Sequence, residues 1–260
     1  MDKPLFQMIP LWLVFVATVG FILLAVEIGF RAGVFHARKS EAVRQASIDP
    51  LVGSTLGLLA FLLAFTFGMA TSRYDARRQF VVDDAVAIRT AGLRAEQLPE
   101  PHRNEVRALL KEYLDVRLRA ALGQEALPRA LVRTAELQDE MWSRAVAFGQ
   151  ETPAIPTAVP FAQALIQMFE VNSRRVAAAV NGGIPSTIWF ALYCVTALAI
   201  AITGYRAGIS GQRSMGVTVV LALAFAAVFH LIADLDRPDA GFLTVSQQSL
   251  SDLQSSWHRQ

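Results

Sequence analysis

The sequence predicts an all-α membrane protein: four transmembrane helices, paired two and two, with a helical-bundle extramembrane domain inserted between the second and third spans. Three observations carry that expectation. Hydrophobic residues make up 53% of the 260-residue chain and charged ones only 18%, whereas soluble domains hold about 45–50% and about 25%. The apolar residues gather in four stretches rather than spreading along the chain. The segment between the second and third stretch has instead a water-compatible composition, with 15 basic and 14 acidic side chains in 113 residues. Together these exclude disordered, collagen-like and disulfide-rich classes. Cys194 is the only cysteine, so no internal disulfide or multi-cysteine metal site can form. A net charge of +2 gives no reason to expect a nucleic-acid partner.

The spans are expected at residues 9–30, 51–70, 184–204 and 215–233. The first holds a single acid, Glu27, the second and third no charge, and the fourth only His230. A bilayer core of about 30 Å needs roughly 20 apolar residues as a helix. Only helices or closed barrels satisfy the backbone in lipid. The first stretch does not read as a cleaved signal: an acid sits in its MDKP start, its apolar run is too long, and no A-x-A site follows. The expected boundaries are a first hairpin over 1–70, a bundle over 71–183, a second hairpin over 184–238 and a tail over 239–260. Local signals agree with the span ends. Asp49-Pro50 reads as an N-cap followed by proline at the first helical position, and Pro185 serves likewise after Gly182-Gly183. Pro238 stops the fourth helix. Trp12 and Trp189 fall near expected interfaces.

Within 71–183 the pattern is helical throughout. Breaks fall at Pro99-Glu100-Pro101, at Gly123 to Pro128 and over Thr152 to Pro160. Val106, Leu109, Leu110, Tyr113, Leu114 and Ala121 share one face. Leu131, Leu137, Met141, Ala145 and Phe148 make a looser stripe. Phe161, Leu165, Met168, Phe169, Val176 and Val180 make a third. The second span shows no stop at the membrane, because only Gly92 interrupts residues 70–98. One helix over 51–98 would be about 70 Å long at 1.5 Å per residue. The expected result is a bundle of about four helices, the last over about 158–181.

Four spans put both termini and the bundle on one side of a bacterial inner membrane. The two short loops carry Arg31, Arg38, Lys39 and Arg44, then Arg206 and Arg213. By the positive-inside rule this places them in the cytoplasm and the bundle outside it. Arg73, Arg77, Arg78, Arg174 and Arg175 weigh against that from the bundle side.

Three groups of residues could carry function. The first is a charged cluster at the bundle-side membrane face: Arg73, Asp75, Arg77 and Arg78 after the second span, and His230, Asp234, Asp236 and Arg237 at the end of the fourth. Arg73 and Arg77 share a helix face, as do His230 and Asp234. The cluster reads as a structural clamp with an Arg77–Asp234 pair, as a charged ring at a pore mouth, or as a proton relay. Glu27 is the intramembrane acid, a functional candidate by position, although Arg31 four residues on offers a plain ion pair. The second span carries Gly53, Ser54, Gly57, Phe61, Phe65 and Thr66 as pore-lining or helix-packing candidates, since small residues let helices approach closely. No phosphate-binding loop, HExxH or GxSxG occurs. Four scattered histidines suggest no metal site. An enzyme and a bound cofactor are not expected.

Several stretches carry a resemblance: LLAFTFGMATSRYDARRQ (62–79), LRAEQLPEP (93–101), YLDVRLRA (113–120), GYRAGISGQR (204–213) and IADLDRPDAGFLTVSQQSL (232–250). Over nearly its whole length the chain resembles the bacterial bestrophin-like domain family of multipass membrane proteins. It departs from the family pattern E-A-N-A-I at Asp84 and Val86. The resemblance implies a likeness to bestrophins, which are pentameric anion channels with their helical domain in the cytoplasm. It therefore implies a homo-oligomer that conducts a small inorganic ion, with Phe61 and Phe65 the nearest counterparts of pore aromatics. A non-conducting scaffold or envelope sensor, whose bundle binds a protein partner, is the alternative. The tail over Thr244–Leu253 is expected to dock on the bundle.

Overall fold

A computed structural model describes residues 9–39, 48–151, 156–181, 183–211, 214–237 and 244–259. Gly182, Pro238, Arg44, Arg213 and residues 152–155, all used in the sequence reading, lie outside the described residues. The elements are α1 (Leu11–Lys39), α2 (Asp49–Ala95), α3 (His102–Ala121), α4 (Leu127–Glu151), α5 (Ala158–Asn181), α6 (Ser186–Ser210), α7 (Met215–Asp236) and α8 (Gln248–His258). No strand occurs among the described residues. The chain divides into two compact units, Met1–Tyr74 with Gly183–Thr244, and Asp75–Gly182 with Val245–Gln260.

The first unit holds α1, the start of α2, α6 and α7. All four helices are long and apolar enough to cross a membrane, and the 47 residues of α2 form one continuous helix. Two apolar clusters knit the unit. Leu59 and Leu63 of α2 meet Trp189 and Leu192 of α6 and Phe229 and Ile232 of α7. Ile22 and Ala25 of α1 meet Ile200 and Ala222. Trp189, expected at an interface, is buried here beside Tyr193 and Phe229, whereas Trp12 is exposed.

The closest packing joins α1 to α6. A Cβ placed on Gly29 would overlap the Ala201 carbonyl, and one on Gly33 the Tyr205 carbonyl. Gly204 and Gly208 stand in the same relation to the carbonyls of Val26 and Phe30. The partners step forward together along both helices, so α1 and α6 run parallel. Lipid supplies no hydrophobic drive between helices, and small residues hold them by letting backbones touch. Both helices extend past the expected span ends at 30 and 204, which brings Gly33 and Gly208 into the seam.

The second unit holds the rest of α2 with α3, α4, α5 and α8. Its core gathers Ile88 and Leu98, then Leu110, Tyr113 and Leu114 of α3, Leu137, Met141 and Phe148 of α4, and Phe161, Leu165 and Met168 of α5. The loose stripe of α4 becomes regular once its small members count: Ala130, Thr134, Leu137, Met141, Ala145 and Phe148 are all buried, three or four apart. Leu131 is only half-buried, and Ala121, the last residue of α3, is exposed. After α3, Gly123 takes a φ of 69°, a left-handed turn that glycine accommodates at low cost. Leu250 and Leu253 of α8 complete this core, so the tail helix belongs to the unit.

Candidate functional site

On α2 the residues singled out in the sequence divide between two faces. Val52, Leu59, Leu63, Thr66 and Ala70 are buried at intervals of three, four or seven, the spacing of one helix face. Gly53, Ser54, Gly57, Phe61, Phe65 and Gly68 lie on the other side and are exposed on this chain. Phe61 and Phe65 are 66% and 65% exposed. A Cβ on Gly53, Gly57 or Gly68 would meet nothing within 4 Å. The hydroxyls turn back on their own helix. Ser54 donates to the Pro50 carbonyl at 2.7 Å, Thr55 to Leu51 at 3.0 Å and Thr66 to Leu62 at 2.7 Å.

The residues expected to form the charged cluster fall in both units, since the chain divides between Tyr74 and Asp75. In the first unit Arg73 donates to the carbonyl of Gly183. Asp236 accepts from the Ile184 amide at 2.7 Å, in a buried bond. Arg73, midway along α2, and Asp236, at the end of α7, thus both hold the segment that leads into α6. Asp234, Asp236 and Arg237 are buried. His230 presents an edge-to-face contact to Phe15, with ring centres 5.8 Å apart. Of the cluster members in the second unit, Arg77 is buried, whereas Asp75 and Arg78 are exposed. Glu27 accepts from Arg31 Nε at 2.7 Å, the pair expected from their spacing.

The second unit contains a centre that the sequence reading passed over. Asp84 is wholly buried on α2, and two arginines converge on its Oδ2: Arg117 of α3 at 2.8 Å and Arg175 of α5 at 2.5 Å. Arg175 also donates to Gln247 Oε1 at 2.9 Å, just before α8. One carboxylate therefore faces two guanidiniums. Burial and the charge of Arg117 push the Arg175 pKa down. For Arg117 burial acts in the same direction, but Asp84 and Tyr113 together outweigh it and the net shift is upward. Burial raises the neighbouring Tyr113 phenol to about 12. The one available signal was an acid within the apolar face of α2, at the position where the chain departs from the E-A-N-A-I pattern.

Known proteins align with this architecture. Two crystal structures of point mutants of a bacterial bestrophin homologue from Klebsiella pneumoniae are similar to the chain. One has a TM-score of 0.66 at 15% identity, covering 93% of this chain and 97% of that one. The other has a TM-score of 0.64 at 14% identity, covering 91% and 98%. A further crystal structure, of a protein described as a membrane protein, gives a TM-score of 0.65 at 15% identity over 94% and 98%. At such identities the likeness shows the fold. No curated protein matches the chain. The bestrophin-like domain profile matches residues 16–250, and the chain therefore belongs to the bestrophin-like domain family of membrane proteins.

Proposed function

We propose that the chain is one subunit of a homo-oligomeric channel for a small inorganic ion in the bacterial inner membrane, with residues 51–70 of α2 beside the path. The observation that carries this reading is the open face of α2. Glycine in a helix interior costs about 0.5–1 kcal/mol relative to alanine. The seam of α1 and α6 uses its glycines for backbone contact, whereas among the described residues a Cβ on Gly53, Gly57 or Gly68 would meet no neighbouring element within 4 Å. A second copy is the natural cover for such a face, and repetition around a closed ring encloses a central path. Phe61 and Phe65, beside these glycines, would narrow it. Family membership and the likeness to a bacterial bestrophin homologue support the same reading.

In this reading the second unit is the inserted water-facing bundle, and the charged residues at the end of the second span, Arg73 to Arg78, stand at the mouth. The short-loop charges favour the bundle outside the cytoplasm, and reporter fusions at the C-terminus test that side. A non-conducting scaffold is favoured by one observation: Ser54, Thr55 and Thr66 direct their hydroxyls to their own helix and offer no polar stripe.

Flux through purified protein in liposomes decides between the two. Under chloride and potassium gradients, the channel reading expects ion-selective flux that changes in rate or selectivity with Phe61→Ala or Phe65→Ala. Absence of flux from folded, oligomeric protein under both gradients favours the scaffold.

A further inference from the structure

The second unit carries a groove of about 470 Å³ that neither the conduction reading nor the buried carboxylate employs. Its size falls within the range of roughly 300–1,000 Å³ typical of small-molecule sites. The apolar wall is the edge of α2 formed by Val82, Val86 and Leu93, with Leu110 of α3. On the water-facing reading of this unit, Val86 and Leu93 remain 57% and 53% exposed there. Trp257 of α8 closes one side. A Cβ on Gly92 would lie 2.7 Å from its Cζ2, so the absence of a side chain at Gly92 lets the indole rest on the helix backbone.

The groove is lined by three arginines and two acids. Arg103 and Arg107 are half-buried, while Arg89, Glu96 and Asp252 are exposed. Arg103 is engaged, donating to the Leu98 carbonyl at 3.0 Å and pairing with Glu100 at 3.6 Å. Arg89 and Arg107 form no ion pair among the described residues. Arg107, half-buried, and Arg89 on the same groove set cationic donors against an apolar wall and an indole, which complements an anion on a hydrophobic body. Guanidinium binds carboxylate through paired, charge-assisted hydrogen bonds.

We propose that this groove binds a small amphiphilic organic anion, an aryl-alkyl carboxylate, with its apolar body against Val86, Leu93 and Trp257 and its carboxylate on Arg107 and Arg89. The site does not depend on whether the protein conducts. The probe is 4-phenylbutyrate, titrated into the full chain in lipid nanodiscs by calorimetry, with empty nanodiscs subtracted. Its cationic counterpart, 4-phenylbutylamine, is the control. The expected result is saturable binding of the acid, with the amine at least tenfold weaker on the unaltered protein. The Arg89→Gln/Arg107→Gln pair weakens the acid at least tenfold. Val86→Asp, which places a like charge on the wall, does the same at an exposed position that leaves folding intact. No saturable binding, equal affinity for acid and amine, or unchanged affinity in folded variants overturns the proposal.

Discussion

Two sets of glycines with the same spacing have opposite fates in this molecule. Gly29-x3-Gly33 of α1 and Gly204-x3-Gly208 of α6 interlock so closely that a methyl group on any of the four would overlap a backbone carbonyl. Gly53-x3-Gly57 of α2 faces open space. The motif reports only that a close approach is possible. The partner is fixed by where the helix axes lie, and that depends on the rest of the unit. In the first set the approach is complete within one chain. In the second, no approach is made among the described residues, and so the two sets should respond in opposite ways to the same substitution.

The largest effect is expected at the closed seam. Gly33→Leu drives its side chain into the Tyr205 carbonyl and towards Gly208, whose Cα would lie 3.1 Å from a Cβ at position 33. Backbone cannot swing aside as a flexible side chain can. The loss should exceed about 4 kcal/mol, beyond the usual range for a single substitution. The observable is loss of monodisperse protein on extraction, or a collapse of the thermal midpoint in detergent. A variant that melts within a few degrees of the native chain would dissolve the distinction between the two glycine sets.

The second unit sharpens the comparison, because there a tight fit is electrostatic. Asp84→Ala leaves Arg117 and Arg175 facing each other without their shared carboxylate. Breaking a buried ion pair costs about 3–5 kcal/mol. Arg175 also reaches Gln247, so α8 should loosen too, read as faster amide exchange over Leu250 and Leu253. A smaller effect is expected from Tyr113. In the unfolded chain its phenol ionises near 10, while burial raises it to about 12 in the folded state. The unfolded state therefore releases its proton first. The contribution is fully present below pH 10 and is lost as pH rises from 10 to 12. Its size is about 2–3 kcal/mol, at 1.36 kcal/mol per unit. Tyr113→Phe should flatten that alkaline limb, measured as the difference between native and variant melting curves.

Much of the fold was legible in the sequence because its signals are one-dimensional. Span length, the charge-free run over 51–70 and the lack of breaks through Ala95 fixed four apolar helices and a very long α2. The α5 stripe likewise set a helix from about 158 to 181. The seam was not legible because it depends on helix ends. Spans cut at 30 and 204 left Gly33 and Gly208 in supposed loops, yet α1 and α6 run on to Lys39 and Ser210. A hydropathy window ends where basic residues begin, whereas a helix continues while its backbone bonds are satisfied. The Asp84 centre was hidden for another reason. Its partners lie 33 and 91 residues away, and no local spacing announces a pair closed by tertiary packing. The α4 stripe looked irregular only because Ala130 and Thr134 carry little hydrophobic weight.

The smallest effect on the fold, and the most discriminating one, is expected at the open set. Gly57→Leu adds a side chain where a Cβ meets nothing. Replacing glycine by a good helix former at an unpacked position favours the helix by up to about 1 kcal/mol. An isolated subunit should therefore melt unchanged or slightly higher, the reverse of Gly33→Leu. If a second copy covers this face, the added bulk blocks the approach and the assembly falls to smaller species. Mass measurement in detergent or nanodiscs reads that directly, and the liposome flux should fall with it. A Gly57→Leu protein that keeps both its assembly and its thermal midpoint would mean that lipid alone meets this face, and the path beside α2 would have to be abandoned.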